Sequence, residues 1–375
     1  MLTIEEAIKN KEVNLLQGQI KGLSELLSYK NSWESLTEEF PHPLLDANWF
    51  IAGSKGFSST SLLNMFIVYS EHKQLKAIAP LASKGKILPH LEILGSSILR
   101  EPGGFLYDDI HSLQLLIKRL LASNEPLFLS KLYQNSAEVK LIETEIKDRN
   151  SVIVDREYSR IPFVDTKKDW DSIKRNTSSS KRSNFRRLNR KIEKKGKVNF
   201  QVISPNQDNF KSYLNDLMKV EASNWKGKIG TAIKTHEALR DFFTELAYLM
   251  ASESKLRLIF LTVDETPIAA QFAIEHSNRL WILKIGYDER WSHFSPGTLL
   301  MDKVVKYCFD EGLESCEFLG NNDDWLHDWA TGVHELISYN IYPKTFNGIL
   351  TKYRDQLAVS YHALVNHLKY KWVFR

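Results

Sequence analysis

The chain of 375 residues has 43% hydrophobic and 26% charged residues and a formal net charge of +4. This balance is typical of a globular protein and excludes a disordered one. The length predicts two domains, because it exceeds what a single hydrophobic core usually holds.

Cysteine usage and the apolar pattern predict a cytoplasmic protein. Cys308 and Cys316 are the only cysteines, and their spacing is neither that of a zinc site nor that of a redox pair, so both are expected to be reduced core thiols. The histidines are scattered, which predicts no metal site. No apolar run is long enough to span a bilayer, and the first residues lack the layout of a secretion signal.

The first half of the sequence is predicted to begin with a helix and to continue as short strands. Apolar residues between Leu15 and Leu27 recur near a 3.6-residue period, which predicts a helix within the first thirty residues. A proline-rich break at Pro41-His42-Pro43 follows. Beyond it the patterns predict a short helix over residues 44–50, strands over 65–69, 75–81 and 91–94, a helix over 112–123, and extended structure over 127–129.

The second half repeats this order with stronger periodicity. Turn residues at Asp264-Glu265 and Ser277-Asn278 separate three apolar runs, which predicts an antiparallel meander. The predicted helices cover residues 210–218, 239–249, 298–311 and 349–369, and the predicted strands cover 256–263, 267–275, 279–287, 316–319 and 335–342. The repeated order predicts a duplicated α/β unit with its boundary between Val154 and Asp169.

A strongly basic stretch lies at the start of the second half. Residues 174–197 contain eleven Lys or Arg and one Glu, so they carry +10 and leave −6 for the remainder of the chain. Phe185, Leu188 and Ile192 form an apolar stripe at helical spacing, which predicts a helix with a cationic outer face. A solvated helix, a contact with an anionic substrate or membrane surface, and nucleic-acid binding all remain open, although charge confined to one helix argues against a broad RNA footprint.

The segment between residues 285 and 300 predicts an anion site. A strand ends, a loop crosses, and a helix begins at Ser295-Pro296-Gly297. Ser295 is expected to cap the helix by accepting an amide bond, and Pro296 suits the first helical position. Gly297 leaves the first turn bare, so a phosphate can approach the exposed amides, with Arg290 and His293 nearby. The alternative is a helix start without a ligand.

Several motifs together resemble the acetyltransferase domain of the GNAT superfamily, in the branch of the CelD-like and BioF2-like proteins. The resemblance covers roughly residues 165–342. The matching segments are Arg182-Ser183-Asn184-Phe185-Arg186-Arg187-Leu188, Glu221-Ala222-Ser223-Asn224-Trp225-Lys226-Gly227, Gly286-Tyr287-Asp288, Ser295-Pro296-Gly297-Thr298-Leu299-Leu300 and Glu317-Phe318-Leu319-Gly320. The first half is similar more weakly, through Ala79-Pro80-Leu81, Leu94-Gly95 and Glu101-Pro102.

The resemblance implies an α/β fold of tandem GNAT-like domains, each a mostly antiparallel mixed sheet flanked by helices. A degenerate domain with a helical N-terminal extension is expected at residues 1–160, and the acyltransferase domain with its closing helix at 161–375. It also implies acetyl-CoA or another acyl-CoA as co-substrate. The cofactor-binding residues implied in this way are Lys284, Ile285, Gly286, Ser295, Gly297 and Thr298, and Arg290 is added as a cofactor-binding candidate for its charge beside the helix start.

Two features depart from the family pattern. The usual Arg/Gln-x-x-Gly-x-Gly/Ala loop is absent, and only Gly297 stands in for it. Beyond Gly320 the family often has a Tyr-Lys pair, whereas Trp325 and Leu326 occupy those places ahead of Trp329. A catalytic lysine is therefore not expected at that position.

Acyl transfer needs a neutral nucleophile, a group that takes its proton, and a donor for the oxyanion. Glu221 is the first candidate base, Asp288 is the second, and Lys284 is a candidate donor. Each residue also has a purely structural alternative. Glu221 could lie at a solvated helix end, Asp288 could cap the loop, and Lys284 could form an ion pair across the sheet. The candidate substrate-binding residues are Arg182, Arg186, Trp225, Lys226 and Trp325.

The function predicted from these features is acyl transfer from acyl-CoA to an amine or hydroxyl of a small or glycan-type acceptor, such as a cell-envelope or polysaccharide precursor. Two alternatives remain. One is aminoacyl transfer, because the related FemABX transferases use aminoacyl-tRNA as donor. The other is a non-catalytic protein that binds an anionic partner through its basic helix.

Overall fold

The computed structural model describes residues 15–38, 40–147, 149–167, 170, 179–223 and 232–373, with side chains described up to residue 358 and at residue 360. The strands are β1 (Leu15–Ile20), β2 (Ser61–Leu63), β3 (Met65–Ser70), β4 (Leu75–Ala79), β5 (Leu81–Lys84), β6 (His90–Ile93), β7 (Leu106–Tyr107), β8 (Leu127–Tyr133), β9 (Val152–Asp165), β10 (Val198–Ile203), β11 (Leu256–Val263), β12 (Thr266–His276), β13 (Arg279–Tyr287), β14 (Ser315–Glu317) and β15 (Gly332–Pro343).

The helices surround these strands on both faces. They are α1 (Leu23–Ser28), α2 (Lys30–Thr37), α3 (Ala47–Gly56), α4 (Ser96–Leu99), α5 (Ile110–Ala122), α6 (Ala137–Lys147), α7 (Ser179–Glu193), α8 (Phe210–Ala222), α9 (Glu237–Ser252), α10 (Pro296–Asp310) and α11 (Phe346–Val373). Short 3-10 helices span Pro43–Leu45, Glu289–Phe294 and Asp324–Asp328. No helix in the described ranges is both long enough and apolar enough to cross a membrane.

One large sheet runs through both halves of the molecule. Its strand order within the described residues is β10-β11-β12-β13-β14-β9-β15-β8-β6-β5-β2, and β1, β3, β4 and β7 form a separate sheet. Neighbouring strands are antiparallel except at β13–β14 and β6–β8. Each parallel pair is connected through a helix, α10 in the second half and α5 in the first. The fold is therefore α/β, with the same mostly antiparallel unit in both halves.

The two halves exchange strands where they meet. β9 follows the first half yet pairs with β14 of the second half, while β15 follows the second half and pairs with β8 of the first. β9 and β15 pair with each other from Gly332↔Phe163 to Pro343↔Val152. The domain boundary near residue 160 stays a prediction, and it falls inside β9.

The structure of the N-terminal region differs from the sequence-based prediction. Residues 15–20, expected to be helical, form β1, which pairs antiparallel with β3 from Leu15↔Ser70 to Ile20↔Met65. Pairing with a distant strand outweighs the local helical period. The short helix expected over 44–50 is instead a 3-10 turn followed by α3. Residues 1–14 lie outside the described residues.

Local signals in the second half agree with the structure. The turn residues Asp264, Glu265, Ser277 and Asn278 all have positive φ between 45° and 67°, as the tight turns of a meander require. On α7, Leu188 and Ile192 are buried, which confirms the amphipathic helix. Both cysteines are buried free thiols, as expected.

Candidate active site

A cleft opens where β13 and β14 part. The two parallel strands pair only from Arg279↔Ser315 to Trp281↔Glu317, and β13 then continues to Tyr287 with no strand on that edge within the described residues. The register of β13 against β12 shifts by one residue around Leu283. Such a bulge bends a strand, and here it accompanies the divergence of β13 from β14. Backbone groups of β13 therefore border an open space.

The cleft has a volume of about 1100 Å³ and both halves of the chain line it. One wall is β13 from Ile282 to Ile285, and the opposite wall follows β14 at Phe318 and Leu319. Glu221 and His236 approach from the helices of the second half. Arg100 and Glu101 come from the loop after α4 in the first half, so a chemical site in this cleft combines both halves.

The start of α10 forms one end of the cleft. Ser295, Pro296, Gly297 and Thr298 all line it, and Pro296 occupies the first turn of the helix as expected. The amides of Gly297 and Thr298 have no hydrogen-bond acceptor within the described part of the chain. A Cβ atom on Gly297 would meet only the Tyr287 ring, at 3.5 Å. The helix start is thus open to an anion.

The expected cap by Ser295 is wrong. Ser295 has φ 49° and ψ 54°, the left-handed conformation, and its side chain makes no capping hydrogen bond. A capping residue typically has an extended backbone, and the left-handed geometry of Ser295 departs from it. Because Ser295 makes no capping hydrogen bond, the first amides of α10 are left for another acceptor.

Glu221 lies in the cleft wall, near the end of α8. Glu221 is only 2% exposed, and its carboxylate accepts a hydrogen bond of 2.9 Å from the Ile233 amide. A Cβ atom on Gly286 would lie 2.5 Å from the Glu221 Cα atom, so α8 packs directly on the backbone of β13. The alternative of a solvated helix end is therefore wrong, and the role of Glu221 as a base stays a prediction.

Lys284 and Glu101 form an ion pair across the cleft. The Lys284 ammonium lies 4.0 Å from a Glu101 carboxylate oxygen, and it also sits over the Phe243 ring at 5.5 Å. The other Glu101 oxygen accepts a hydrogen bond of 2.8 Å from the Gly320 amide. Burial raises the pKa of Glu101, and the Lys284 charge and the Gly320 bond offset only part of that rise. Such a carboxyl is a stronger base than a solvated one, which suits it to accept a proton.

Lys131 of β8 holds the loops on either side of Glu101. Its ammonium donates to the Arg100 carbonyl and the Gly320 carbonyl, both at 2.6 Å. Burial lowers the pKa of Lys131. Lys131 also has φ 54°, a left-handed backbone that a lysine adopts only under constraint. These bonds fix the position of Glu101 and of the Gly320 peptide.

Asp288 and Arg290 pair with each other away from the cleft. The Arg290 guanidinium donates to Asp288 Oδ1 at 3.1 Å and to Oδ2 at 3.0 and 2.6 Å, and the Arg290 amide donates to Oδ1 at 3.0 Å. The hydrogen bonds from Arg290 lower the pKa of Asp288, which makes it a weaker base. Neither residue lines the cleft, so the geometry favours the loop-cap alternative for Asp288.

The predicted substrate-binding residues are only partly brought together. Trp325 lines the cleft, 37% exposed, and packs edge-on against Trp329. Arg182 and Arg186 lie on α7, outside the lining. Trp225 and Lys226 lie outside the described residues, as do residues 174–178 of the basic stretch.

Sequence reasoning missed Glu101 and Lys131 as site residues. In the sequence Glu101 belongs only to a weak similarity of the first half, and Lys131 lies beyond the extended segment predicted over 127–129 and carries no signal. The available hint was an acidic residue directly before Pro102-Gly103-Gly104, in a segment that forms no regular element. Loops of this kind often carry functional groups.

Comparisons with known proteins agree with this architecture. Residues 179–326 match the model of the acetyltransferase (GNAT) domain. No curated protein matches the sequence significantly.

Solved structures share the fold over nearly the whole chain. FemX aligns with a TM-score of 0.55 at 10% identity, covering 90% of this chain and 99% of FemX. The C-terminal domain of a protein described as a lysylphosphatidylglycerol synthetase from Agrobacterium fabrum gives 0.54 at 10% identity, covering 89% and 97%. L-PGS from Bacillus licheniformis gives 0.53 at 12% identity, covering 84% and 92%. At these identities the likeness concerns the fold alone. Residues 179–326 therefore match a GNAT acetyltransferase domain, and the chain as a whole shares its fold with FemX.

Proposed function

We propose that this protein is an acyltransferase that moves an acyl group, such as acetyl, from acyl-CoA to an amine or hydroxyl of a small or glycan-type acceptor. The observation that carries the proposal is the divergence of β13 from β14, with the open start of α10 at the end of the gap. A cytoplasmic location is part of the proposal, because acyl-CoA is available there.

The residues present fit a donor with an extended arm and a diphosphate. Beyond Trp281, β13 has no neighbouring strand on its β14 side within the described residues, and its backbone groups from Ile282 to Lys284 suit the amides of a pantetheine arm. The Gly297 and Thr298 amides, at the positive end of α10, suit the diphosphate. Bound there, acyl-CoA would supply an activated thioester carbonyl.

Glu101 is the best-placed proton acceptor for the acceptor group. As the acceptor nitrogen or oxygen bonds to the thioester carbon, its proton passes to the Glu101 carboxylate, and the carbon–sulfur bond breaks to release the thiol after protonation. The raised pKa of Glu101 makes it a stronger base than an ordinary carboxylate. Glu221 stays a second candidate base, and Lys284 is placed to stabilise negative charge.

Gly297→Glu tests the donor site. A carboxylate there should block the diphosphate, while an acid in the first turn of a helix does not destabilise it. We expect acetyl-CoA to raise the Tm of the wild type and of the control Gly297→Ala, whose added Cβ fits at 3.5 Å, and to leave Gly297→Glu unshifted. The measurement is a thermal-shift titration. Equal shifts in all three proteins, or none in the wild type, would refute the donor site.

Aminoacyl transfer from aminoacyl-tRNA is the second candidate. The likeness to FemX over 90% of this chain and the exposed basic helix α7 favour it. Charge reversal at Arg186 and Arg187, together with ribonuclease treatment, separates the two candidates. Activity that survives both would exclude a tRNA donor, whereas activity lost in both would favour it over acyl-CoA.

A further inference from the structure

A second pocket lies behind the wall of the cleft. It has a volume of about 590 Å³, and Gly320 and Asn321 line both this pocket and the cleft. The backbone of Gly320 borders both spaces. Its amide donates to Glu101 on the cleft side, and its carbonyl accepts from Lys131, which lines the second pocket. The pocket therefore borders the residue whose amide donates to Glu101, while Glu101 itself lines the cleft.

The pocket is lined by neutral hydrogen-bonding groups. The side-chain amides of Gln134 and Asn322 have no partner within the described residues, and each amide offers both a donor and an acceptor. Tyr158 is 64% exposed and provides an aromatic surface. Amides beside an open aromatic ring suit a ligand that presents many hydroxyls on one face and carbon–hydrogen groups on the other.

The charged groups of the pocket are paired with one another or with the backbone. Arg160 donates to Glu335 at 2.9 Å, across neighbouring positions of β9 and β15. The Lys131 ammonium is held by two carbonyls and by Asn321 at 3.4 Å. Neither a strong anion nor a strong cation therefore finds an unpaired counter-charge here, which favours a neutral ligand.

We propose that this pocket binds a neutral sugar ring of the acceptor, with the reacting amine or hydroxyl directed past Gly320 toward Glu101. The inference rests on the proposed acyl transfer and narrows its acceptor to a carbohydrate. Donor and acceptor then occupy two adjoining spaces that share Gly320 and Asn321, so neither has to leave before the other binds.

The experiment measures sugar binding separately from donor binding. Methyl glucoside, N-acetylglucosamine and glucosamine are titrated against the full chain by saturation-transfer NMR and calorimetry. Asn322→Leu and Tyr158→Ala remove one amide and the aromatic surface, and both sites are exposed, so folding is not at risk. Tyr353→Ala, an equally exposed tyrosine on α11, is the matched control.

We expect at least one sugar to bind the wild type and the control alike, and about tenfold more weakly to each pocket variant. The acetyl-CoA thermal shift should be the same in all four proteins. Absence of binding by every sugar, or equal affinity in the pocket variants, would overturn the inference even if acetyl-CoA binds. Sugar binding that follows the pattern without an acetyl-CoA shift would instead remove the donor proposal and leave the pocket as a carbohydrate site.

Discussion

The buried carboxyl of Glu101 shows how a single residue takes its chemical character from its surroundings. It is 6% exposed, with one oxygen bonded to the Gly320 amide and the other facing the Lys284 ammonium. Loss of hydration raises the pKa of Glu101, whereas hydrogen bonds from Arg290 lower the pKa of Asp288, which is equally buried. Two carboxyls near one cleft thus differ in basicity, and only the one with the raised pKa lines the cleft.

Glu101→Gln should abolish the acid limb of the pH–rate profile. A general base works only when deprotonated, so wild-type kcat/KM should rise with pH up to the raised pKa of Glu101 and then level off. The amide cannot take the proton, and the rate should fall about 10²- to 10⁴-fold with no rise over that range. The measurement is steady-state kinetics from pH 5 to 9.

Glu138→Gln is the matched control for this experiment. Glu138 is also 6% exposed, and burial also raises its pKa, but it does not line the cleft. Its profile should match the wild type. An unchanged pH–rate profile in Glu101→Gln would mean that another group is the general base, and Glu221 is the next candidate.

At the scale of elements, the cleft depends on the contact between α8 and β13. Gly286 has no side chain, which lets the α8 backbone at Glu221 approach the strand closely. The same strand bulges near Leu283 and loses its partner β14 beyond Trp281. Packing on one side and divergence on the other therefore set the width of the cleft.

Gly286→Ala should force α8 away from β13. The added Cβ would lie 2.5 Å from the Glu221 Cα atom, a distance that backbone atoms cannot tolerate. We expect a loss of about 1–3 kcal/mol in the free energy of unfolding, measured with urea. Gly297→Ala, whose added methyl group makes only an ordinary contact of 3.5 Å with the Tyr287 ring, should change stability by less than about 1 kcal/mol. Equal stability of the two variants would contradict the close contact.

At the scale of the molecule, the halves form one folding unit through shared strands and a shared core. One hydrophobic cluster contains Trp33 and Phe50 from the first half together with Phe242 and Phe272 from the second. β15 lies between β9 and β8, so the first-half sheet needs a strand from the end of the chain. Unfolding is therefore expected to be cooperative across both halves.

His42 makes this shared unit sensitive to acid. Its ring, in the first half, packs on Trp281 of the second at 4.4 Å, bonds to the Tyr133 hydroxyl at 2.9 Å, and accepts from the Leu44 amide at 3.3 Å. Loss of hydration, followed by nearby cationic groups, lowers the pKa of His42 to about 3. The neutral ring is thus the form that the native structure holds.

Stability should fall with decreasing pH because of His42. An unfolded histidine takes up its proton near pH 6.5, whereas the folded one resists until about pH 3, so the unfolded state binds more protons between these values. The contribution of the neutral His42 ring to the free energy of unfolding is complete above pH 6.5 and is lost progressively toward pH 3. Urea midpoints from pH 7 to 4 should fall less steeply in His42→Gln than in the wild type. His72→Gln, at an exposed histidine, should keep the wild-type slope, and a parallel slope in His42→Gln would contradict the assignment.

The sequence by itself determined the features that depend on neighbouring residues. The apolar stripe of α7, the positive-φ turns of the meander and the proline at the start of α10 all follow from local stereochemistry, and each agrees with the structure. The motifs of the second half also sufficed to indicate the GNAT domain.

Only the tertiary structure decided which distant segments meet. Residues 15–20 form a strand because they pair with β3. β9 and β15 each pair with a strand of the other half. Glu101 of the first half lies beside Lys284 of the second. Hydrophobic period and turn chemistry report on contacts a few residues apart. Strand pairing and burial of a carboxyl depend on partners far along the chain, so no local pattern contains them.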